Sequence, residues 1–387
     1  MQNAALLWHV SLLVPSNKAL ALGFVGLARV VPVILFSMVS GVVADAWNRR
    51  RVLLVTQSLA GGVALALAGL TRTGHQSLWP VYALAAVGAA VSAFDLPARQ
   101  AFLPTLVPRD DLPNAITLNS IAFQAASVIG PAAAGLVIAA HGVAATYLVN
   151  AASFGAVIAA LWLMRDLPVH QPADGAASTE VSWAAAREGL QFVFRSPLIR
   201  STMLLDFVAT FFASATVLLP IFAQDILQVG ARGYGWLFAA PAVGALVTSV
   251  ALVPLTARIR QRGSAILWSV AGHGVATMVF GVSRHFWLTF ACLAVVGATD
   301  TVSTVLRNVI RQLETPDRLR GRMTGINMVF FMGGPQLGEL EAGAAARLLG
   351  APWSVITGGI GCVVATLIVA AATPRLRTYT TATTPAA

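Results

Sequence analysis

The sequence predicts an all-α membrane protein made of two six-helix bundles, with twelve spans expected and the first of them truncated. Three observations lead there. Of the 387 residues, 57% are apolar and only 10% charged, against roughly 25% charged in soluble domains, so a water-soluble core could not hide the hydrocarbon. Apolar runs of at least ~18 residues recur along the whole length, each able to cross a bilayer core of ~30 Å as helix. The two halves of the chain also echo one another in order and spacing, the mark of an internal duplication.

The elements follow in order. The apolar run at 1–13 reaches only about 20 Å as helix, too short to cross the bilayer. No cleavable leader is evident, and this first span is expected to act as its own signal. Spans follow at 19–44, 52–70, 78–103, 115–139 and 143–164. The joint at 41–54 is a tight clasp carrying Arg49, Arg50 and Arg51. The joint before the fifth span carries Asp110 and Asp111, suited to a helix N-terminus, where the macrodipole favours negative charge. Residues 165–197 mix Pro, Gly, Ser and charge and read as a linker. Within it Trp183, Arg187, Leu190, Val193 and Phe194 lie at helical spacing, which predicts a short helix at the membrane surface. Further spans are expected near 198–222, 233–255, 265–282, 287–309, 323–346 and 355–372. The domains expected are thus a first bundle 1–164, the linker 165–197, a second bundle 198–373 and a Thr-rich, disordered tail 374–387.

Charge sets the orientation and excludes several functions. The net charge of +10 sits in alternate joints rather than on one face or tail, which is a topology signal and not a nucleic-acid patch. Placing the clasp in the cytoplasm puts most arginines there, including Arg258, Arg260, Arg262, Arg307, Arg311, Arg318, Arg320, Arg322, Arg375 and Arg377. Lys18, Arg72, Arg232, Arg284 and Arg347 remain outside. The linker and the C-terminus are then cytoplasmic, in a multi-pass plasma (inner) membrane protein. Cys292 and Cys362 lie within spans and read as packing residues rather than a disulfide. Six scattered histidines show no metal-ligand spacing, and neither a phosphate loop nor a nucleophile-base pair points to an enzyme.

Residues 53–63 (LLVTQSLAGGV) align with 265–275 (AILWSVAGHGV) 212 residues later. A spacing of 208 superimposes Asn119 on Asn327, Gly130 on Gly338 and Gly135 on Gly343. The second clasp, 257–263 (ARIRQRG), keeps its arginines but lacks an aspartate.

Gly41, Asp45, Asn48, Arg49 and Arg50, spaced as they are in GVVADAWNRRR, resemble the signature between the second and third helices of the major facilitator superfamily, Gly-x-x-x-Asp-x-x-Gly-Arg-Arg/Lys. Asn48 stands where glycine is usual, a residue that tolerates positive φ. The resemblance covers nearly the whole chain, and it implies twelve helices in two parallel halves. DLPARQA at 95–101 and LVPRDDLPNA at 106–115 look more narrowly like the siderophore-exporter and macrolide-efflux branch. Members of that branch carry more sequence before the point matching Met1, so the start is expected to be misassigned or the copy damaged. Gly130-Pro131 with Gly135 is similar to the antiporter motif of drug exporters, with Ala134 where a second glycine is usual. Pro131 permits a bend, and the small residues permit close helix approach.

Ionisable residues inside spans are costly and are functional candidates by default. The resemblance implies that Asp45 and the arginines form a gating latch with an acidic residue on the fourth helix. Asp95 is that residue, four before Arg99 and on the same helical face. Arg29, near mid-span, needs a carboxylate or a water-filled cavity. Asp206, Asp300 and Glu339 are candidates for carrying a proton, with pairing to Arg29 or Arg307 the alternative for the two aspartates. Asn119, Gln124, Asn327 and Gln336 are candidate cavity lining, or equally helix-helix hydrogen bonds.

These readings point to a secondary active transporter that exports amphipathic small molecules by alternating access. It is expected to act as a monomer, to exchange substrate for protons and to need no cofactor beyond the proton gradient. Uptake or uniport of a defined metabolite is the alternative, favoured if Arg29 holds an anion. A degenerate, non-transporting membrane protein is the reading from another class.

Overall fold

The computed structural model describes residues 1–74, 77–164, 183–212, 214–255, 259, 261–316 and 319–380. Among them every regular element is helical. The helices are α1 (Gln2–Leu13), α2 (Lys18–Ala46), α3 (Arg49–Arg72), α4 (Leu78–Phe102), α5 (Leu112–Leu163), α6 (Trp183–Arg195), α7 (Pro197–Phe212) and α8 (Leu219–Ile221). They continue with α9 (Gly230–Leu255), α10 (Arg262–Val282), α11 (Phe286–Glu314), α12 (Arg320–Leu349), α13 (Ala351–Ala372) and α14 (Pro374–Arg377). Nine stretches among the described residues are long and apolar enough to cross a membrane. One of them, α5, runs 52 residues, or about 78 Å as continuous helix, more than twice the hydrocarbon thickness.

It does so by turning back on itself. Gly142 takes φ 81° and ψ 177° inside α5, so the stretch is two helices joined without a loop. That conformation is essentially closed to residues with a Cβ. Gly350, 208 residues later, joins α12 to α13 with φ 86° and ψ 153°. The two halves therefore share a backbone device at the spacing that relates Gly130 to Gly338, and the duplication is visible in conformation as well as in residues. Counting α5 as two arms and adding α12 and the short α1 to the nine stretches gives twelve helical elements in the order expected. α1 has 12 residues, about 18 Å.

The chain clusters into two compact units, residues 1–180 with 223–239, and residues 181–222 with 240–387. Residues 223–239, which follow the linker in sequence, thus pack with the first helices. In the first unit Val52, Leu53, Ala98, Phe102 and Leu161 form a buried cluster joining α3, α4 and the second arm of α5. In the second, Leu205, Ile266, Val270, Leu306, Ile310, Cys362 and Val369 bring α7, α10, α11 and α13 together. Small residues set the closest approaches: a Cβ on Gly244 would strike the carbonyl of Ala294, and one on Gly297 that of Pro241. Without a hydrophobic drive between helices in lipid, such backbone contact supplies the packing energy. Trp79, Trp287 and Trp353, at helix starts, and Trp47 and Trp162, near helix ends, stand exposed, as side chains at a bilayer interface do.

Two expectations about the connecting segments meet the structure here. The short helix in the linker forms as α6, with Val193 buried against Ile199, Met203 and Met323 while Leu190 and Phe194 are exposed; Arg187 lies outside the described side chains. The tail is not unstructured from residue 374 onward. α14 folds back so that Leu376 is 0% exposed within the second unit's core. The backbone N–H of Gly263 donates to the carbonyl of Tyr379, and the Tyr379 hydroxyl donates to Glu314 at 2.9 Å. Burial and that hydrogen bond push the Tyr379 hydroxyl up to about 12, so it stays a neutral donor. Composition misled because one apolar residue, Leu376, anchors an otherwise polar strap.

Candidate functional site

The clasp is built first from its caps. Asn48 occupies the N-cap of α3, its side chain accepting from the backbone N–H of Arg51 at 3.3 Å, the role short polar side chains play at helix starts. The arginines that follow reach helix C-termini. Arg49 donates to the carbonyl of Ala101 at 3.1 Å, and Arg50 to those of Leu161 at 2.9 Å and Trp162 at 3.2 Å. Cations there satisfy orphan carbonyls and complement the helix dipole. Asp95 is held separately. Its Oδ1 accepts from Thr56 at 2.9 Å and Gln57 at 2.6 Å, and its Oδ2 from Arg99 at 2.9 and 3.2 Å. Hence in this structure the clasp arginines hold helix ends, and Asp95 is bound by Arg99 and α3. The side chain of Asp45 and the surroundings of Gly41 lie outside the described residues.

Beside Asp95 opens a cavity of ≈ 190 Å³, mostly apolar, whose polar lining is Gln57, Arg99 and Asn119. Asn119 lines this cavity. Gln124 is half-buried on the same helix. Arg29, half-buried on α2, donates to Asn3 of α1 at 2.9 Å.

The Gly-Pro segment makes the tightest crossing in the first unit. A Cβ on Gly135 would sit 2.6 Å from the Cα of Gly235, and one on Gly235 would sit 2.8 Å from the carbonyl oxygen of Pro131. A Cβ on Gly130 would lie 3.2 Å from the nitrogen of Met1. Other ties hold 223–239 in place. Lys18 pairs with Asp225 at 2.7 Å, Gln224 donates to Ser11 at 2.8 Å, and Tyr234 donates to the carbonyl of Ala4 at 2.9 Å while its ring packs on Trp8.

The second unit contains the densest buried charge. Asp206 of α7 is 3% exposed and Arg307 of α11 is 0% exposed; Oδ1 of the first lies 2.8 Å from the guanidinium of the second. Arg311, one turn on, lies 3.9 Å from Asp206 Oδ2, donates to Asn308 at 2.6 Å and is bonded to Asn327. Asp300, with a side chain 45% exposed, is 3.9 Å from Arg307 on its other side, and Thr304 accepts a further bond from Arg307 at 2.9 Å. The result is two carboxylates against two guanidinia, one carboxylate sealed and one open. Such a cluster can exchange a proton for a broken ion pair, because in a low-dielectric interior neither charge can stand alone. Asn327 thus supports Arg311. Glu339 is buried on α12 and Gln336 is half-buried one turn before it. Glu339 stands where the repeat spacing of 208 places Pro131 in the first half.

Arg307 and Arg311, counted by sequence among the orienting cations, are therefore interior residues. Their signal was spacing: four apart on one face, seven and eleven after Asp300. His273 of α10, one of the six histidines without metal-ligand spacing, is 7% exposed. Among the described residues no group of His, Cys, Asp and Glu is placed to hold a metal ion, and Cys292 and Cys362 are free and buried.

Helices long and apolar enough to cross a membrane, glycine crossings between them and buried charge upon them mark a polytopic membrane protein. The family described as transmembrane secretion effectors matches residues 1–385, and the chain belongs to it and to the major facilitator superfamily. It is 28% identical over 328 residues to an enterobactin exporter EntS of Escherichia coli O1:K1 / APEC, covering 84% of this chain and 77% of that protein. The EntS of Salmonella choleraesuis (strain SC-B67) is 27% identical over 343 residues, 88% of this chain and 81% of the relative. Among solved structures, the nucleoside transporter NupG superposes with a TM-score of 0.74 at 12% identity, covering 96% and 95% of the two chains. A bacterial homologue of the iron transporter ferroportin, in an inward-facing state, gives 0.65 at 16% identity, covering 98% and 96%. At such identities these structures bear on the fold alone.

Proposed function

We propose that this chain exports amphipathic small molecules across the inner membrane by alternating access, each cycle exchanging substrate for protons, with the clasp, linker and C-terminus on the cytoplasmic side. The observation that carries the coupling is the sealed Asp206 with Arg307 and Arg311 beside it and the open Asp300 across from it. Protonating a carboxylate releases an arginine to a new partner, and that is a change one proton can drive. Export is supported by the relatives, which are named as exporters of a siderophore. Asp95 pairs with a half-exposed Arg99 and accepts from Thr56 and Gln57, contacts that a latch exchanges as it opens and closes.

The test is flux in inverted vesicles, with enterobactin as the first probe substrate and a ΔpH-sensitive dye reporting protons. Wild type is expected to accumulate substrate only with an imposed pH gradient, and Asp206→Asn, Asp300→Asn and Glu339→Gln to lose accumulation in differing degree. Gradient-independent accumulation in all four proteins sinks the antiport reading.

A further inference from the structure

We propose that His273 is a proton-binding residue that works with Asp300, so that the charge cluster of the second unit contains a relay rather than a single acid. This rests on the proton-coupled reading above. His273 is 7% exposed, and its Nδ1 is buried with no hydrogen-bond partner among the described residues. The ring also hydrogen-bonds the backbone of Val296, one turn before Asp300 on α11, and it feels the charges of both Asp300 and Arg307. A buried imidazole held by one nitrogen, with the lone pair of the other unused, is a base awaiting a proton. Burying that acceptor unpaired is costly, and an imidazolium buried alone would cost more, so the ring takes a proton only with the Asp300 carboxylate there to answer its charge.

The surroundings are consistent from every side. The charged groups whose field reaches the ring are Asp300 and Arg307 of α11, and Asp206 of α7 lies 2.8 Å from that arginine. From α13, which carries no formal charge, come the carbonyl of Gly359 and the Cβ of Cys362, packed at Gly274. Arg262 of α10 and Arg375 and Arg377 of α14 lie at the other end of α10, about 16 Å away along the helix. Asp300 is the open member, with 45% of its side chain exposed, and takes the proton from solution. Its carboxyl then passes the proton to Nδ1, directly or across one water molecule, leaving a carboxylate and an imidazolium. The carboxylate so restored pairs with Arg307 and competes with Asp206 for it. Return of the proton to Asp300 reverses the step.

The experiment reads the ring itself. Full-length protein carrying 15N-labelled histidine in detergent is titrated from pH 5 to 8, with His273→Gln and His273→Asn identifying the signal. The expected result is a His273 ring that passes from neutral to cationic, with a midpoint displaced in Asp300→Asn. A ring that keeps one neutral tautomer throughout, or whose titration ignores Asp300→Asn, overturns the proposal. In vesicles where the wild type shows proton-driven flux, both histidine variants should lose roughly a hundredfold of it while retaining substrate exchange without net proton movement. Unchanged driven flux there overturns the relay. If the ring titrates with Asp300 but the wild type shows no proton-driven flux, the antiport reading alone falls and the proton site stands.

Discussion

The buried pair of Asp206 and Arg307 allows a quantitative test. At 2.8 Å and an effective dielectric of ~20, their attraction is on the order of 6 kcal/mol, most of it offset by taking both groups out of water. Removing one partner forfeits the attraction and leaves the desolvation in place. Asp206→Asn strands Arg307, 0% exposed, beside Arg311, with only the more distant Asp300 to answer two cations. Arg307→Gln strands Asp206 except for Arg311 at 3.9 Å. Each single substitution should cost ~3–5 kcal/mol. The double variant Asp206→Asn with Arg307→Gln should cost less than the sum by ~2–3 kcal/mol. Denaturant unfolding of the purified protein in one detergent, followed by tryptophan fluorescence, measures all four corners. Arg99→Gln is the control, because its i,i+4 pair with Asp95 is half-exposed and worth ~0.5 kcal/mol. Strictly additive single losses, or single losses no larger than that of the control, refute the assignment of a coupled buried pair.

Three further outcomes are expected. Gly135→Leu should lower stability by at least ~1–3 kcal/mol through overpacking, since its first added carbon already meets Gly235; Gly62→Leu, with open space around it, should be tolerated in the same thermal-shift assay. Leu376→Ala should cost ~2–4 kcal/mol, whereas Thr378→Ala, at an exposed position, should stay within ~0.5 kcal/mol; equal losses in the melting curves would count against the docked strap. Lys18→Asp and Asp225→Lys should each slow transport, and the exchanged pair should recover it in vesicle flux. Failure to recover argues against a direct role for that contact.

Much of this architecture was legible because membrane helices declare themselves locally, through apolar length, polar joints and glycine spacing. Gly130 and Gly135 as close-approach sites could be read from residue type alone, whereas Asn48, expected to permit a positive φ, takes φ −60° as the cap of α3. The same locality explains what was hidden. Arg307 and Arg311 near the end of a span look like interfacial cations, and only the arrival of Asp206 from another helix makes them interior. Nothing near Tyr234 or Asp225 in sequence says that this stretch packs with α1 and α2, since those contacts cross more than 200 residues. Leu376 was masked by its polar neighbours, and His273 by the absence of a second ligand at any regular spacing.

The glycine reversals at Gly142 and Gly350 lie 208 residues apart, and the same interval relates Arg99 to Arg307. The ancestral half evidently passed both a hinge point and a cation to its two descendants, and their fates then differed. One cation stayed at the surface with a partner on its own helix, where letting go is inexpensive. The other was walled in with a partner on a neighbouring helix, where letting go demands a replacement charge. One repeated position thus carries a half-exposed pair within its own helix in the first half and a buried pair between helices in the second.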